Sequence, residues 1–167
     1  MNTNMLILGI DPGLRRTGYG LIESDGPDRM KLVEGGVIKT SAQEGISRRL
    51  KDIYSNLTDI IKEHHPDVLV LEKIYSHYKH PMTSILMGHA RGVICLACGV
   101  NGVELVNYAA TRIKKAVTGN GHAGKHQVQN MVKELLGLNT VPKPADVGDA
   151  LAMAISYVYI EGIKKPS

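Results

Sequence analysis

Four acidic residues stand in sequence contexts that normally belong to a hydrophobic core. Asp11 ends the apolar run MLILGID, and Glu72 ends the apolar run VLVLE. Asp146 and Asp149 open the largely apolar segment ADVGDALAMAISYVYI. These residues are called the four carboxylates below. An unpaired carboxylate is costly to remove from water, and no cationic run accompanies them, so their pattern indicates a divalent-metal site.

The donor set of this candidate site consists of carboxylate oxygens from three separate elements. No Cys or His accompanies them at a fixed spacing, which favours Mg²⁺ or Mn²⁺ over Zn²⁺. A pair of such ions roughly 4 Å apart can activate an attacking water and stabilise the leaving oxygen in phosphodiester cleavage. For Asp146 alone, helix capping is an equally simple interpretation, because the first turn of a helix favours anions.

The composition is that of a single globular domain over residues 1–167, with 43% hydrophobic and 22% charged residues. The chain has 20 Lys and Arg against 16 Asp and Glu, a formal net charge of +4. If metal ions take up the four carboxylates, the remaining surface is more basic than this count. The balance therefore favours an anionic partner such as nucleic acid.

The sequence also predicts where the protein acts. The apolar run GVICLACGV at 92–100 is far shorter than the roughly 20 residues of a membrane span, so no membrane association is expected. The amino terminus MNTNMLILGID lacks the charged region and cleavage site of a signal peptide. With two Cys and no secretory signal, a reducing cytoplasmic location is expected.

Apolar periodicity predicts the element order βββαβαβααα. Strands are predicted at 5–11, 17–23, 30–40, 68–72 and 103–106, and helices at 47–64, 81–99, 109–117, 125–136 and 146–160. The first three strands have short connections, with a turn at 24–28, which predicts an antiparallel meander. The pattern therefore predicts an α/β fold: a mixed five-stranded sheet with helices on both faces.

Four blocks of the sequence resemble the bacterial Holliday-junction resolvases of the RuvC type. They are ILGIDPGLRRTGYG, LEKIY, YAATRIKKAVTGNGHAGKHQVQNMV and PADVGDALAMAI, in the family's order and spacing from Leu6 to Ile160. The resemblance implies a ribonuclease-H-like fold and Mg²⁺-dependent, paired symmetric cuts in four-way DNA junctions during recombination and repair. It also implies two ions per active site, Mn²⁺ as a substitute, 5′-phosphate ends and partners of the RuvA and RuvB type.

The family acts as a homodimer, which suits a two-fold junction that needs two equivalent cuts about one axis. Our hypothesis for the interface is the predicted helix at 81–99, which is rich in small and apolar residues.

The resemblance assigns roles residue by residue. It makes the four carboxylates the metal-binding catalytic groups. Lys114 and Lys125 fall on lysines that contact the DNA backbone near the cut and support catalysis, and Tyr75 falls on an aromatic residue that stacks on bases at the junction centre. The alternatives are solvated helix charges for the lysines and a core or rim position for the tyrosine. Arg15 and Arg16, at the first turn, could also reach DNA and stay unassigned.

Three positions depart from the family pattern. Lys73 follows the catalytic Glu72 where a polar or acidic residue is commoner, and it is expected to face away from the site. Tyr75 replaces the usual Phe, keeping the stacking face and adding a hydroxyl. Gly148 lies between the two aspartates and should loosen the start of the helix by about 1 kcal/mol relative to Ala.

Other reactive side chains have simpler interpretations. Cys95 and Cys98 have the CxxC spacing, but they lie in an apolar helical stretch and are expected to be small buried hydrophobes. His122 and His126 are four residues apart with no further ligand in view. We expect them to contact solvent or phosphate.

Two other function classes stay open at this point. The Asp-Pro-Gly turn followed by Thr17 and Gly18 resembles the phosphate-binding hairpin of actin-like ATP-dependent phosphotransferases, although those proteins need two such lobes and this chain has room for one. A relative that binds branched DNA without cutting it is the third candidate. Retention of all four carboxylates speaks against that candidate.

Overall fold

The structure, a computed structural model, describes residues 4–74 and 79–163. The described elements are β1 (Met5–Asp11), β2 (Arg16–Gly26), β3 (Arg29–Lys39), α1 (Ile46–His64), β4 (Val68–Glu72), α2 (Pro81–Asn101), β5 (Glu104–Tyr108), α3 (Ala110–Thr118), α4 (Lys125–Leu135) and α5 (Ala145–Glu161). The predicted order of strands and helices is confirmed. Tyr75, the predicted stacking residue, lies outside the described residues.

The strands form one sheet in the order β3-β2-β1-β4-β5. The first three strands pair antiparallel, while β1 pairs parallel with β4, and β4 with β5. Short turns suffice for the antiparallel pairs, whereas the parallel strands need crossovers, which α1 and α2 supply. The mixed five-stranded sheet predicted from the sequence is therefore confirmed.

The predicted boundaries differ most at the turn between β2 and β3. The turn expected at 24–28 is shorter, because β2 continues to Gly26 and β3 begins at Arg29. The register shifts between Ser24 and Gly26, and the Ser24 hydroxyl accepts a hydrogen bond from the Gly26 amide at 3.2 Å. This irregularity lets the strand pairing continue into what the sequence indicated as a turn.

The sheet is covered on both faces, and β4 displays this most directly. Val68 and Val70 point into the core formed with α3, α4 and α5. Leu69 and Leu71 point into the opposite core, which α1 and α2 cover. All four side chains are fully buried, as expected for a central strand with alternating side chains between two layers of helices.

Helix α5 packs against the sheet at backbone distance. A Cβ atom added to Gly9 would lie 1.9 Å from the carbonyl oxygen of Ala150, and one added to Gly18 would lie 2.3 Å from that of Asp146. Only glycine allows such an approach without a clash. Because Gly18 pairs with Asp11 across β1 and β2, this packing brings the start of α5 to the end of β1.

Helix α2 has two different faces. Ala90, Ile94, Ala97 and Cys98 are buried against the sheet and α1. Other positions of the helix expose apolar side chains, namely Met82, Ile85, Leu86, Met87, Leu96 and Val100. By length and composition alone, α2 is long and apolar enough to cross a membrane, because it carries exposed apolar side chains in addition to buried ones.

We expect the Gly9→Ala substitution to lower the free energy of unfolding by about 3 kcal/mol or more, because the added methyl group meets backbone atoms that cannot rotate away. Urea denaturation of the metal-free protein measures this change. Gly45→Ala is the matched control, since a Cβ atom there meets nothing within 4 Å and the backbone φ is −65°. A Gly9→Ala protein as stable as the control would contradict the packing described here.

Candidate active site and metal centre

The carboxylates at the ends of β1 and β4 lie beside each other. Ile10 pairs with Leu71 in the parallel register. The next residues, Asp11 and Glu72, therefore lie side by side at the same edge of the sheet. Together with Asp149 they line a cavity of about 230 Å³. Because a water molecule occupies about 30 Å³ in the liquid, this volume has room for hydrated ions.

Two lysines complete the polar wall of this cavity. Lys114 comes from α3 and Lys125 from the first turn of α4. The structure thus brings three of the four carboxylates and both lysines to one cavity. The remaining lining residues are apolar or small, namely Ala110, Ile113, Val128, Ala152 and Met153.

The fourth carboxylate, Asp146, lies at the margin of the site. It is not among the residues that line the cavity, and its Oδ2 atom forms an ion pair of 3.1 Å with Nη2 of Arg16. Its charge nevertheless acts on Asp11. The structure therefore places three carboxylates in one wall and the fourth within electrostatic reach.

Burial and like charges change the protonation of this cluster. Burial and, in order of importance, the charges of Asp149, Asp146 and Glu72 together raise the pKa of Asp11 to about 7, and Lys125 counteracts them. Burial also raises the pKa of Glu72, and the charge of Lys114 partly offsets this rise. The cluster thus resists carrying its full negative charge without a cation, the electrostatic condition in which a bound metal ion is most stabilising.

Asp149 has a different partner at each oxygen. Nζ of Lys125 lies 3.2 Å from Oδ2, and Nε2 of Gln129 donates a hydrogen bond of 2.7 Å to Oδ1. The hydrogen bond and charge of Asp149 raise the pKa of Lys125. The sequence interpretation missed Gln129. Its position four residues after Lys125, on the same face of α4, is the signal that could have identified it.

The end of β4 is held from α2. Nη1 of Arg91 donates a hydrogen bond of 2.8 Å to the carbonyl oxygen of Glu72, and Nη2 donates to Oδ1 of Asn107 on β5. The sequence interpretation did not identify Arg91 either, although it is the only Lys or Arg within α2. Its guanidinium group fixes the backbone from which the Glu72 side chain extends.

Lys73 lies outside the cavity that Asp11, Glu72 and Asp149 line. A second cavity, of about 400 Å³, shares Asp11 and Glu72 with the first and is also lined by Lys73 and His80. The alternation of side chains does not extend to Lys73, because β4 ends at Glu72. Lys73 therefore borders a groove that continues from the carboxylates towards α2.

The other reactive side chains do not join the site. Cys95 and Cys98 are free thiols, and burial, assisted by Cys95, raises the pKa of Cys98 to about 11. Cys98 is a buried apolar residue, as predicted. His122 precedes α4 whereas His126 lies in its first turn, and both are exposed. His126 contacts Asn130 at 3.0 Å.

The donor chemistry of the site fits a hard divalent cation, since it offers carboxylate oxygens in a wall of excess negative charge. Within residues 4–74 and 79–163, however, no three His, Cys, Asp or Glu side chains are already arranged to hold an ion. Arg16 and Lys125 contact two of the carboxylates instead. Metal binding would require these carboxylates to exchange a cationic side chain for the ion.

The sheet order, the helices on both faces and the acidic cavity at the ends of β1 and β4 define a ribonuclease-H-like nuclease. The family model for "Crossover junction endodeoxyribonuclease RuvC" matches residues 7–157, and the chain belongs to this family. The family suggested by the four sequence blocks is thereby confirmed.

Curated relatives carry the same description along most of their length. The protein of Rhodopirellula baltica is 49% identical over 92% of this chain and 86% of its own length. That of Caldicellulosiruptor saccharolyticus is 44% identical over 92% of each. Both are crossover junction endodeoxyribonucleases RuvC.

A solved structure has the same fold. The Thermus thermophilus RuvC structure in complex with Holliday junction substrate has a TM-score of 0.87 and 31% identity, covering 95% of each chain. The yeast mitochondrial resolvase Ydc2, at 14% identity and a TM-score of 0.66, shares the fold. The conserved architecture therefore extends beyond close sequence relatives.

The pKa of Asp11 predicts how stability depends on pH. The folded value of about 7 lies above the ordinary 3.8, so the folded protein holds a proton that the unfolded chain releases. In chelator, we expect the free energy of unfolding to rise as the pH falls from 7 towards 5, by at most about 1.4 kcal/mol per pH unit from this group. The raised pKa of Glu72 acts in the same direction.

Urea denaturation in chelator at pH 7.5 and pH 5.5 measures this dependence. Asp11→Asn should be more stable than the natural protein at pH 7.5 and should gain less on acidification. Asp59→Asn, at an exposed position of α1, serves as the control and should behave like the natural protein. If the natural protein loses stability as the pH falls from 7 to 5, the raised pKa of Asp11 is contradicted.

Proposed function

We propose that this protein is a structure-specific endodeoxyribonuclease that resolves four-way DNA junctions by paired symmetric phosphodiester hydrolysis, in recombination and repair. Residues 1–167 act as one nuclease domain. The observation that carries the proposal is the acidic cavity flanked by two lysines, at the sheet edge of a chain in the RuvC family. The substrate in the similar Thermus complex, a Holliday junction, supports the choice of DNA.

The four carboxylates are the proposed ligands of Mg²⁺, with two ions per active site and Mn²⁺ as a substitute. When bound, the ions supply an activated water and stabilise the departing oxygen. The raised pKa values of Asp11 and Glu72 support this assignment, because a divalent cation stabilises the charged forms that burial and like charges disfavour. Asp146 would join the set after release from Arg16.

The two cavity lysines have the proposed role of binding the DNA backbone. Lys114 already acts electrostatically on Glu72, and Lys125 contacts Asp149. Once metal ions neutralise the carboxylates, both ammonium groups can bind phosphate oxygens and hold the scissile group in place. Lys125 also takes part in catalysis by neutralising charge beside the reacting phosphate.

Tyr75 is the proposed stacking residue for bases at the open centre of the junction. Only two residues separate it from Glu72 in the sequence. An aromatic ring stacks on any base, at about 1–3 kcal/mol per base. This role suits recognition of junction shape.

A homodimer is the proposed assembly, with α2 at its interface. Paired symmetric cuts need two active sites related by a two-fold axis, and α2 carries the row of exposed apolar side chains. Its first turns also border the groove next to Asp11 and Glu72. We further propose a cytoplasmic location and, from the family resemblance, branch-migration partners of the RuvA and RuvB type.

Asp11→Asn and Asp146→Asn should each reduce junction cleavage by at least about 10³-fold, since a lost ligand removes several kcal/mol of charge stabilisation in the transition state. Junction binding should stay within a few-fold, because the basic surface is intact. A synthetic four-way junction, with and without Mg²⁺, provides both measurements.

Asp59→Asn is the matched control for these variants and should cut normally. Cleavage by Asp11→Asn at the natural rate would refute the metal assignment. Junction that the natural protein binds at saturation but leaves uncut with Mg²⁺, over many DNA sequences, would favour a non-catalytic binding protein instead.

Leu96→Asp and Val100→Asp should convert the dimer into monomers, because each places a charge in an apolar interface. Their side chains are 57% and 63% exposed in the isolated chain, so the fold should be unaffected. Sedimentation velocity measures the change in oligomeric state. In the cleavage assay, the two strands of a junction should no longer be cut as a pair. Val33→Asp, at another exposed apolar position, is the control. Variants on α2 that sediment as natural dimers would exclude α2 as the interface.

A further inference from the structure

Gln129 is an unusual residue in the wall of the site. Its side chain is buried, with 6% of the residue exposed. Its Nε2 atom donates one hydrogen bond to Oδ1 of Asp149, at 2.7 Å, and another to the carbonyl oxygen of Ala145, at 3.1 Å. Both donor hydrogens are therefore used, and both reach the first turns of α5.

The oxygen atom of the Gln129 amide has no hydrogen-bond partner in the described structure. Oε1 of Gln129 is buried and unpaired, an arrangement that costs stability. A flipped amide would place this oxygen against the oxygens of Asp149 and Ala145, which is worse. The orientation is therefore determined by the need to donate to α5.

Gly148 creates the space that this amide occupies. A Cβ atom at this position would lie 1.8 Å from Oε1 of Gln129, so any other residue would displace the side chain. Glycine is otherwise unfavourable within a helix. Its presence between Asp146 and Asp149, which the sequence indicated only as a loosening of the helix, is explained by this contact with α4.

We infer that Gln129 is a positioning residue that fixes the orientation of the Asp149 carboxylate for metal binding, and that Gly148 is required to admit it. The inference rests on the proposed function, because it assumes that Asp149 binds an ion. Gln129 and Lys125 hold opposite oxygens of Asp149. They differ in one decisive property, which is charge.

A cation that approaches Asp149 competes with the ammonium group of Lys125 and repels it. The neutral amide of Gln129 does not compete in this way, and it can keep its hydrogen bond to Oδ1 while Oδ2 exchanges Lys125 for the ion. Partners that orient a metal ligand through its second atom typically change metal affinity or activity by about 10- to 100-fold when they are removed.

The test measures Mn²⁺ binding to the intact protein without DNA, by electron paramagnetic resonance. Gln129→Met keeps the length of the side chain and removes its donors, and it should raise the Kd for Mn²⁺ by about 10-fold or more. Gln127→Met, on the exposed side of the same helix, should leave the Kd unchanged. A Gln129→Met protein that is folded and binds Mn²⁺ with the natural Kd overturns the inference.

A double-mutant cycle separates positioning from general packing. Gly148→Ala should weaken Mn²⁺ binding by a similar factor in the natural background, because it displaces Gln129. In a Gln129→Ala background, where the space is open, the same substitution should have little further effect on the Kd. Independent effects of the two substitutions, or effects on the melting temperature in chelator with no change in Kd, overturn the inference.

The proposed function is judged separately, by junction cleavage. A natural protein that binds Mn²⁺ but leaves four-way junctions uncut would refute the nuclease proposal, while the Kd values of the variants would still decide the role of Gln129. A natural protein that does not bind Mn²⁺ would overturn the role of Gln129 in metal binding.

Discussion

The backbone-distance packing of α5 against β1 and β2 is the constraint on which the site depends. At Gly9 and Gly18 the helix approaches so closely that a single added carbon would collide with its carbonyl groups. This contact sets the height and rotation of the helix relative to the sheet. Because Asp146 and Asp149 lie in its first turns, their distance from Asp11 follows from the two glycines, and a small displacement of the helix would separate the carboxylates.

Gathering these carboxylates carries an electrostatic cost, which the fold offsets only in part. Arg16 and Lys125 each contact one carboxylate, while the pKa of Asp11 stays raised to about 7. A residual cost of burial and like charge of this kind is expected where function rather than stability determines the arrangement. The same excess of negative charge that weakens the metal-free fold provides the attraction for a divalent cation.

Two of the carboxylate residues are held by contacts from other elements. Asp149 is oriented from α4 by Gln129, and the backbone of Glu72 is held from α2 by Arg91. The site therefore combines a sheet edge with side chains from the surrounding helices. Through Arg91, the helix proposed as the dimer interface contacts the backbone of Glu72.

The sequence by itself determined the element order, the mixed sheet and the grouping of carboxylates at strand ends, because periodicity, turn residues and burial preference are local properties. It also indicated the two cavity lysines through the family resemblance. Only the tertiary structure decided the position of Lys73 and the roles of Gln129 and Arg91, since these depend on contacts between residues distant in the chain. Hydrogen bonds of this kind leave no periodic signal, and they become visible only when the helices are packed against the sheet.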